Sequence, residues 1–216
     1  MKEKVYGFFT GMKRPNMEKR IPALFVSVII MGLGIAIFNR LNFGTDPCSV
    51  LTLGLNRVVG IPYGTLLLMI NTVLMLIVIR FDISRIGIGT LANMIVVGYS
   101  AEFFMAVHDR FFALPQASVA VRLLVFVPTL IVFLIAAAIY LCVDMGVAPY
   151  DAVPQIICDR THKPFRLVRT CWDCGTVLLG IIAGSTEAGL VTAGIALFFG
   201  PLVAWAARYI KPYFGD

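Results

Sequence analysis

The sequence predicts an all-α polytopic membrane protein: six transmembrane helices plus two short broken or re-entrant helices, arranged as two inverted three-helix repeats. Three observations carry this. Of 216 residues, 59% are apolar and only 14% charged, with a mean hydropathy of +0.90, whereas a soluble domain carries about 25% charged residues. At least five apolar runs approach or exceed the roughly 20 residues that cross the hydrocarbon core as a helix. The chain also matches itself, without gaps, at a shift of 102 positions.

The composition excludes a soluble globular domain, a disordered chain and a secreted disulfide scaffold. It argues against nucleic-acid binding despite a net charge of +6 and a pI near 9.2. The five cysteines, at 48, 142, 158, 171 and 174, mostly lie inside apolar runs and read as small buried hydrophobes. Cys171-Trp172-Asp173-Cys174 is formally a CxxC. It lacks a second cysteine pair and a thioredoxin-like βαβ context, so redox or zinc chemistry is a weak reading.

The six long helices are expected over 21–42, 62–81, 86–107, 119–143, 165–183 and 187–209. Two shorter segments, 47–59 and 149–160, are about 18 Å of helix each, too short to cross alone. The first run follows a basic tail carrying Lys2, Lys4, Lys13, Arg14, Lys19 and Arg20, with no small-residue cleavage site, so it reads as an uncleaved span. The positive-inside rule places that tail in the cytoplasm, with Arg80, Arg85, Arg160, Lys163, Arg166, Arg169, Arg208 and Lys211. Arg40, Arg57, Arg110 and Arg122 then fall outside. Letting both short segments cross gives eight spans with an equally good charge balance. Length favours six, and both arrangements put both termini in the cytoplasm. The organisation is therefore a basic tail (1–20), a first membrane repeat (21–107), a linker (108–118), a second repeat (119–210) and a short cytoplasmic tail (211–216).

At the 102-residue shift, Gly44-Thr45-Asp46-Pro47 falls on Gly146-Val147-Ala148-Pro149, and Pro62-Tyr63 on Pro164-Phe165. Asn71 falls on Asp173, Gly87 and Thr90 on Gly189 and Thr192, and Gly98 on Gly200. The coincidences are mostly Gly, Pro and buried polar positions, where backbone geometry dictates residue type. Three crossings per half is odd, so the halves would be inverted. That is a recurring secondary-transporter architecture, with sites near the midplane.

The candidate binding residues follow from the breaks and from buried charge. Asp46 is a good N-cap with Pro47 at the first helical position. Ser49 is the shifted partner of Asp151. Short helices with exposed N–H groups inside a bundle can hold polar substrate groups, although Asp46 could equally cap only its own helix. Asp173 lies in an otherwise apolar helix, where a carboxylate costs about 2.5–3.5 kcal/mol without a partner. Arg169, one turn earlier, is the obvious partner, with Asn71 at the equivalent position of the first half. Glu102 is a candidate for proton coupling if buried, or a residue reaching the interface. His108-Asp109-Arg110 reads as a solvated turn, and His162 as part of a basic cytoplasmic loop; two distant histidines make no metal site. Gly180 and Gly184 form a GxxxG pattern for close helix packing, with homodimerisation its second use. Trp172, Trp205, Tyr209 and Tyr213 read as interfacial anchors. Tyr6, Phe8 and Phe9 in the basic tail suggest a helix lying on the inner leaflet.

Gly32-Leu33-Gly34-Ile35-Ala36, Phe43-Gly44-Thr45-Asp46-Pro47, Gly60-Ile61-Pro62-Tyr63-Gly64 and Ile88-Gly89-Thr90 resemble the bacterial YczE/YyaS/YitT membrane-protein family, and most the YczE branch. The likeness covers nearly the whole chain from residue 21. It implies a bacterial inner-membrane protein of repeated three-helix units and no settled activity. The second half departs from the pattern, with Ala148 where the first has Asp46.

The expected function is a small secondary transporter or permease with alternating access, binding an unknown small molecule through Asp46, Ser49, Asn71, Asp151, Arg169 and Asp173. The alternative is a non-transporting accessory protein that scaffolds a partner. No P-loop, nucleophile elbow or HExxH spacing occurs. The expectation is therefore no enzyme, no cofactor, no metal and no nucleic acid, with the lipid bilayer as the constant partner.

Overall fold

A computed structural model describes residues 16–111 and 114–214, Pro115 by its backbone only. The expected tail helix with Tyr6, Phe8 and Phe9 lies outside the described residues. Those described are helical, without strands. The long helices are α1 (Met17–Leu41), α3 (Tyr63–Asp82), α4 (Ile88–Phe111), α5 (Val119–Val143), α7 (Phe165–Ile182) and α8 (Leu190–Phe214). The short ones are α2 (Pro47–Val59) and α6 (Pro149–Thr161). Five are long and apolar enough to cross a membrane: α1, α3 with its following turn to Arg85, α4, α5 and α8. Helix α7 has 18 residues but carries Arg166, Arg169 and Asp173, so composition alone does not qualify it as the sixth span.

Both short helices end where their residues dictate. Proline opens each, because its missing N–H costs nothing at the first helical position. Gly60 and His162 close them in the left-handed region, donating to the Asn56 and Cys158 carbonyls. The long helices hold one another through packing, since lipid supplies no hydrophobic drive between them. Helix α1 is the most enclosed, with 44% of its apolar stretch buried against 22% for α3, α5 and α8. Gly32 brings it onto Ser100 and Ala101 of α4, and Gly34 onto Phe133 of α5. Phe38 meets Phe133 edge to face at 5.4 Å. Outward apolar residues such as Leu124 and Ile182 remain exposed, as a lipid-facing surface requires.

Helices α1 and α5 run antiparallel, and each receives an arginine at its C-terminal end. Arg20, fully buried, donates to the Val143 carbonyl at 2.9 Å and to Phe214 at 3.0 Å. Arg122 donates to the Leu41 carbonyl at 3.0 Å. A cation there satisfies orphan carbonyls and offsets the negative end of the helix dipole. The bundle thus has a Leu41 end and a Val143 end.

The breaks dock in the same reciprocal way. At the Leu41 end, the loop at Gly44 packs on the start of α8: Val191 donates to the Phe43 carbonyl at 3.1 Å, and the Thr45 N–H to Thr192 Oγ1 at 3.1 Å. At the Val143 end, the loop at Gly146 packs on the start of α4: Gly89 donates to the Met145 carbonyl at 2.7 Å, and Thr90 Oγ1 to Val147 at 2.9 Å. Both α4 and α8 then widen into one π-helical turn, at Asn93–Val97 and Ile195–Phe199. Each of these features recurs 102 positions on.

Several expectations need correcting. Helix α1 starts at Met17 rather than 21, because Arg20 is a buried capping residue and not a tail charge. His108-Asp109-Arg110 is not a solvated turn. Helix α4 continues to Phe111, with Asp109 held by Arg40 at 2.5 Å and His108 buried. The stretch 211–214 is not a free tail, since it forms a 3₁₀ turn that buries Phe214 against Arg20. Trp172 is no interfacial anchor; it packs at 5.7 Å against Tyr150, beside the core. Gly180 packs within the molecule, as expected, on the backbone of Val50 and Leu51, but Gly184, at φ +90°, lies past the end of α7 and outside the helix.

Gly44 (φ +109°) and Gly146 (φ +116°) adopt a conformation that L side chains rarely take, and an added Cβ would lie 2.9 Å from the Gly189 nitrogen or 2.6 Å from the Gly87 nitrogen. Gly44→Ala and Gly146→Ala are each expected to cost about 1–3 kcal/mol, lowering the unfolding midpoint in detergent by several degrees. Gly175→Ala, where a Cβ meets nothing within 4 Å, should leave it unchanged or raise it.

Candidate functional site

The first turn of α2 is organised by Asp46. Its carboxylate accepts the Ser49 N–H at 3.0 Å and the Ser49 hydroxyl at 2.5 Å. Ser49 Oγ also lies 2.7 Å from the Tyr63 hydroxyl at the start of α3. Carboxylate, serine and phenol therefore form a continuous chain, with Ser49 and Tyr63 almost fully buried. The opposite break holds an ionic group. Arg169 of α7 donates to Asp173 at 2.9 Å and to Asp151 of α6 at 2.5 Å, with its guanidinium 5.2 Å from the centre of the Tyr150 ring. The Tyr150 hydroxyl donates to the other Asp173 oxygen at 2.7 Å. The Asp173 side chain is 3% exposed and that of Asp151 is 43% exposed, so the group runs from the interior toward an open side.

The two groups are neighbours. Cys48, in the first turn of α2, lies within the electrostatic reach of Asp46, Asp151 and Arg169, and Tyr150 within that of Cys48. The N-terminal ends of both short helices thus converge, bringing three carboxylates and one guanidinium together. The bodies of the two helices pack away from this point, α2 along α7 and α6 along α3. Gly54 and Gly180 allow the closest approach of α2 to α7.

Of the residues expected from sequence, Asp46, Ser49, Asp151, Arg169 and Asp173 meet here. Asn71 joins none of their hydrogen bonds. It donates to Leu67 of its own helix at 3.0 Å, and its buried Oδ1 accepts no hydrogen bond among the described residues. Glu102 accepts the Gly64 N–H at 2.7 Å. It satisfies the start of α3, which has no side-chain cap of its own. Sequence reasoning missed Tyr63, Tyr150 and the Asp151–Arg169 pair. The available signal was positional, since Tyr150 occupies the position 102 beyond Cys48. Cys171 and Cys174 are exposed free thiols. No cluster of metal-ligating side chains occurs among the described residues.

Apolar spanning helices around a buried polar junction define a multi-pass helical membrane protein. A profile of the family of unknown function DUF6198 matches residues 18–208, and the chain belongs to that family. It is similar to an uncharacterized protein of Haemophilus influenzae (strain ATCC 51907 / DSM 11121 / KW20 / Rd), 27% identical over 180 residues, covering 83% of this chain and 78% of the relative. No solved structure matches.

The ionic group makes a graded prediction. Asp173→Ala strands the buried Tyr150 hydroxyl and one side of Arg169, and is expected to cost about 3–5 kcal/mol. Asp151→Asn, at the exposed side, should cost under about 1 kcal/mol. Unfolding midpoints of the single variants and of Asp173→Ala combined with Arg169→Ala check this. The double variant should lose less than the sum of the two single losses.

Proposed function

We propose that the chain is a small secondary transporter or permease of the bacterial inner membrane, working by alternating access between two inverted three-helix repeats. The observation that carries this reading is the convergence of the N-terminal ends of α2 and α6 on one polar junction, Asp46–Ser49–Tyr63 beside Tyr150–Asp151–Arg169–Asp173. Interrupted helices with polar ends gathered inside an apolar bundle suit a desolvated solute. Recurrence of the breaks, the arginine caps and the π turns 102 positions apart supports a duplicated unit. The antiparallel course of α1 and α5 supports its inversion, with α7 as the sixth crossing. A cavity of about 250 Å³ at the Leu41 end, lined by Asn39, Asn42, Gly44, Thr186 and Glu187 among others, supports a polar vestibule at one face. The likeness to YczE/YyaS/YitT proteins supports the inner-membrane location, and the basic tail supports cytoplasmic termini.

In this reading Asp46 and Ser49 present polar groups from one repeat, and Asp151, Arg169 and Asp173 from the other. A solute bridging them would be released as the repeats rock apart. Asn71 lies on the same helix as Tyr63 and is available to a solute in another state. Energy would come from an ion gradient, the solute's own gradient or a partner ATPase.

Purified protein should gain thermal stability with at least one class of small metabolite, a ligand at a hundredfold its Kd adding about 2.7 kcal/mol. Asp46→Ala and Asp173→Asn should abolish that gain. Stabilisation that both variants retain removes these residues from the site. No stabilisation by any metabolite, together with no solute movement in vesicles, moves the protein to the accessory reading.

A further inference from the structure

Two ion pairs at opposite ends of the bundle occupy equivalent positions with their charges exchanged. At the Leu41 end, Arg57 near the end of α2 pairs with Glu187, two residues before the Gly189 turn that opens α8. At the Val143 end, Asp159 near the end of α6 pairs with Arg85, two residues before the Gly87 turn that opens α4. Positions 57 and 159, and positions 85 and 187, are each 102 apart. Arginine and acid have traded places while the connection between elements is unchanged. Each pair ties a short helix to the connection that precedes the last long helix of the other half.

The surroundings place both pairs across the line along which the halves meet. Arg57 also donates to the Gly184 carbonyl at 3.1 Å, and Glu187 lines the 250 Å³ cavity. Arg85 is held by Asp82 at 3.0 Å and also by Gln155. Its own carbonyl accepts the Val147 N–H at 3.0 Å, beside the second break. The side chains of both pairs are partly exposed, 43% and 19% for Arg57 and Glu187, 20% and 63% for Arg85 and Asp159. Separation therefore rehydrates them at modest cost. A fully buried pair would hold the halves permanently, and an apolar contact would release no charge to water.

We propose that Arg57–Glu187 and Arg85–Asp159 are two latches, one per face, each closing its own end of the path to the polar junction, with both closed in this structure. The proposal rests on the alternating-access reading and adds the residues that set which face opens. Beyond its acid, each arginine makes one further hydrogen bond to the other half, Arg57 to the Gly184 carbonyl and Arg85 to Gln155, so the two ends are held alike.

Cys48, buried at the junction, reports opening directly. In a variant with Cys142, Cys158, Cys171 and Cys174 replaced by Ser, a membrane-impermeant maleimide is applied to one face at a time of uniformly oriented vesicles. Added cysteines at the exposed Val59 and Lys163, in separate reference variants, mark the Leu41 and Val143 faces. Arg57→Gln should raise Cys48 labelling about two- to fivefold from the Leu41 face alone, and Arg85→Gln from the Val143 face alone. Glu187→Gln breaks the first pair from its other side and must act like Arg57→Gln. The exchange Arg57→Glu with Glu187→Arg should return labelling to its starting rate. Unchanged labelling in all single variants, or a rise from both faces in any one of them, overturns the latches. No solute enters this assay, so face-specific opening without any metabolite-dependent stabilisation would keep the latches and count against transport.

Discussion

An interrupted helix inside an apolar bundle leaves N–H and C=O groups that lipid cannot satisfy, and the rest of this structure depends on how those groups are answered. The chain meets the demand by exchange. The Phe43 and Met145 carbonyls, exposed by the breaks after α1 and α5, accept from Val191 and Gly89 at the starts of α8 and α4. Glycine at 44, 87, 146 and 189 lets backbone approach backbone there. Leu41 and Val143, each three residues before the glycine of its break, receive Arg122 and Arg20. Each half thus supplies the polar partners the other lacks.

That dependence places the polar junction. Because the breaks dock on the opposite half, both short helices start inward and run outward, and their first turns are brought together. Asp46 is answered by its own helix through Ser49, whereas Ala148 at the equivalent position has no polar group to offer. The second half instead puts Asp151 one turn along and recruits Arg169, which in turn neutralises Asp173. The two ends of the junction differ in chemistry: a hydroxyl chain on one side, a braced guanidinium on the other.

Much of this was legible in the sequence, for reasons that are local. Pro47 and Pro149 mark the first residues of the short helices, and Gly60 marks the end of one, so both were placed within a residue of their observed ends. The Arg169–Asp173 pair follows from i,i+4 spacing. What was not legible depends on partners far along the chain. Arg20 looks like a tail charge until Val143 and Phe214 are beside it. His108-Asp109-Arg110 looks like a turn until Arg40 holds Asp109. Trp172 looks like an anchor because nothing local announces Tyr150. Glu102 reads as a lone acid, and only the start of α3, 38 residues away, shows what it accepts.

The π turns in α4 and α8 make residue count, more than residue type, the sensitive quantity in those helices. A π turn holds one residue more than the α-helix it replaces, so the segments before and after it face in directions that a continuous helix could not reconcile. Loss of a single residue within Asn93–Val97 would let α4 run regularly from end to end. That loss would leave the flanking segments close to their present phase, whereas losing a residue from the regular helix at Gly98–Ala101 would swing everything beyond it by about 100° about the axis. Glu102 would leave Gly64 and Asp109 would leave Arg40, through a change of phase with every one of those side chains intact.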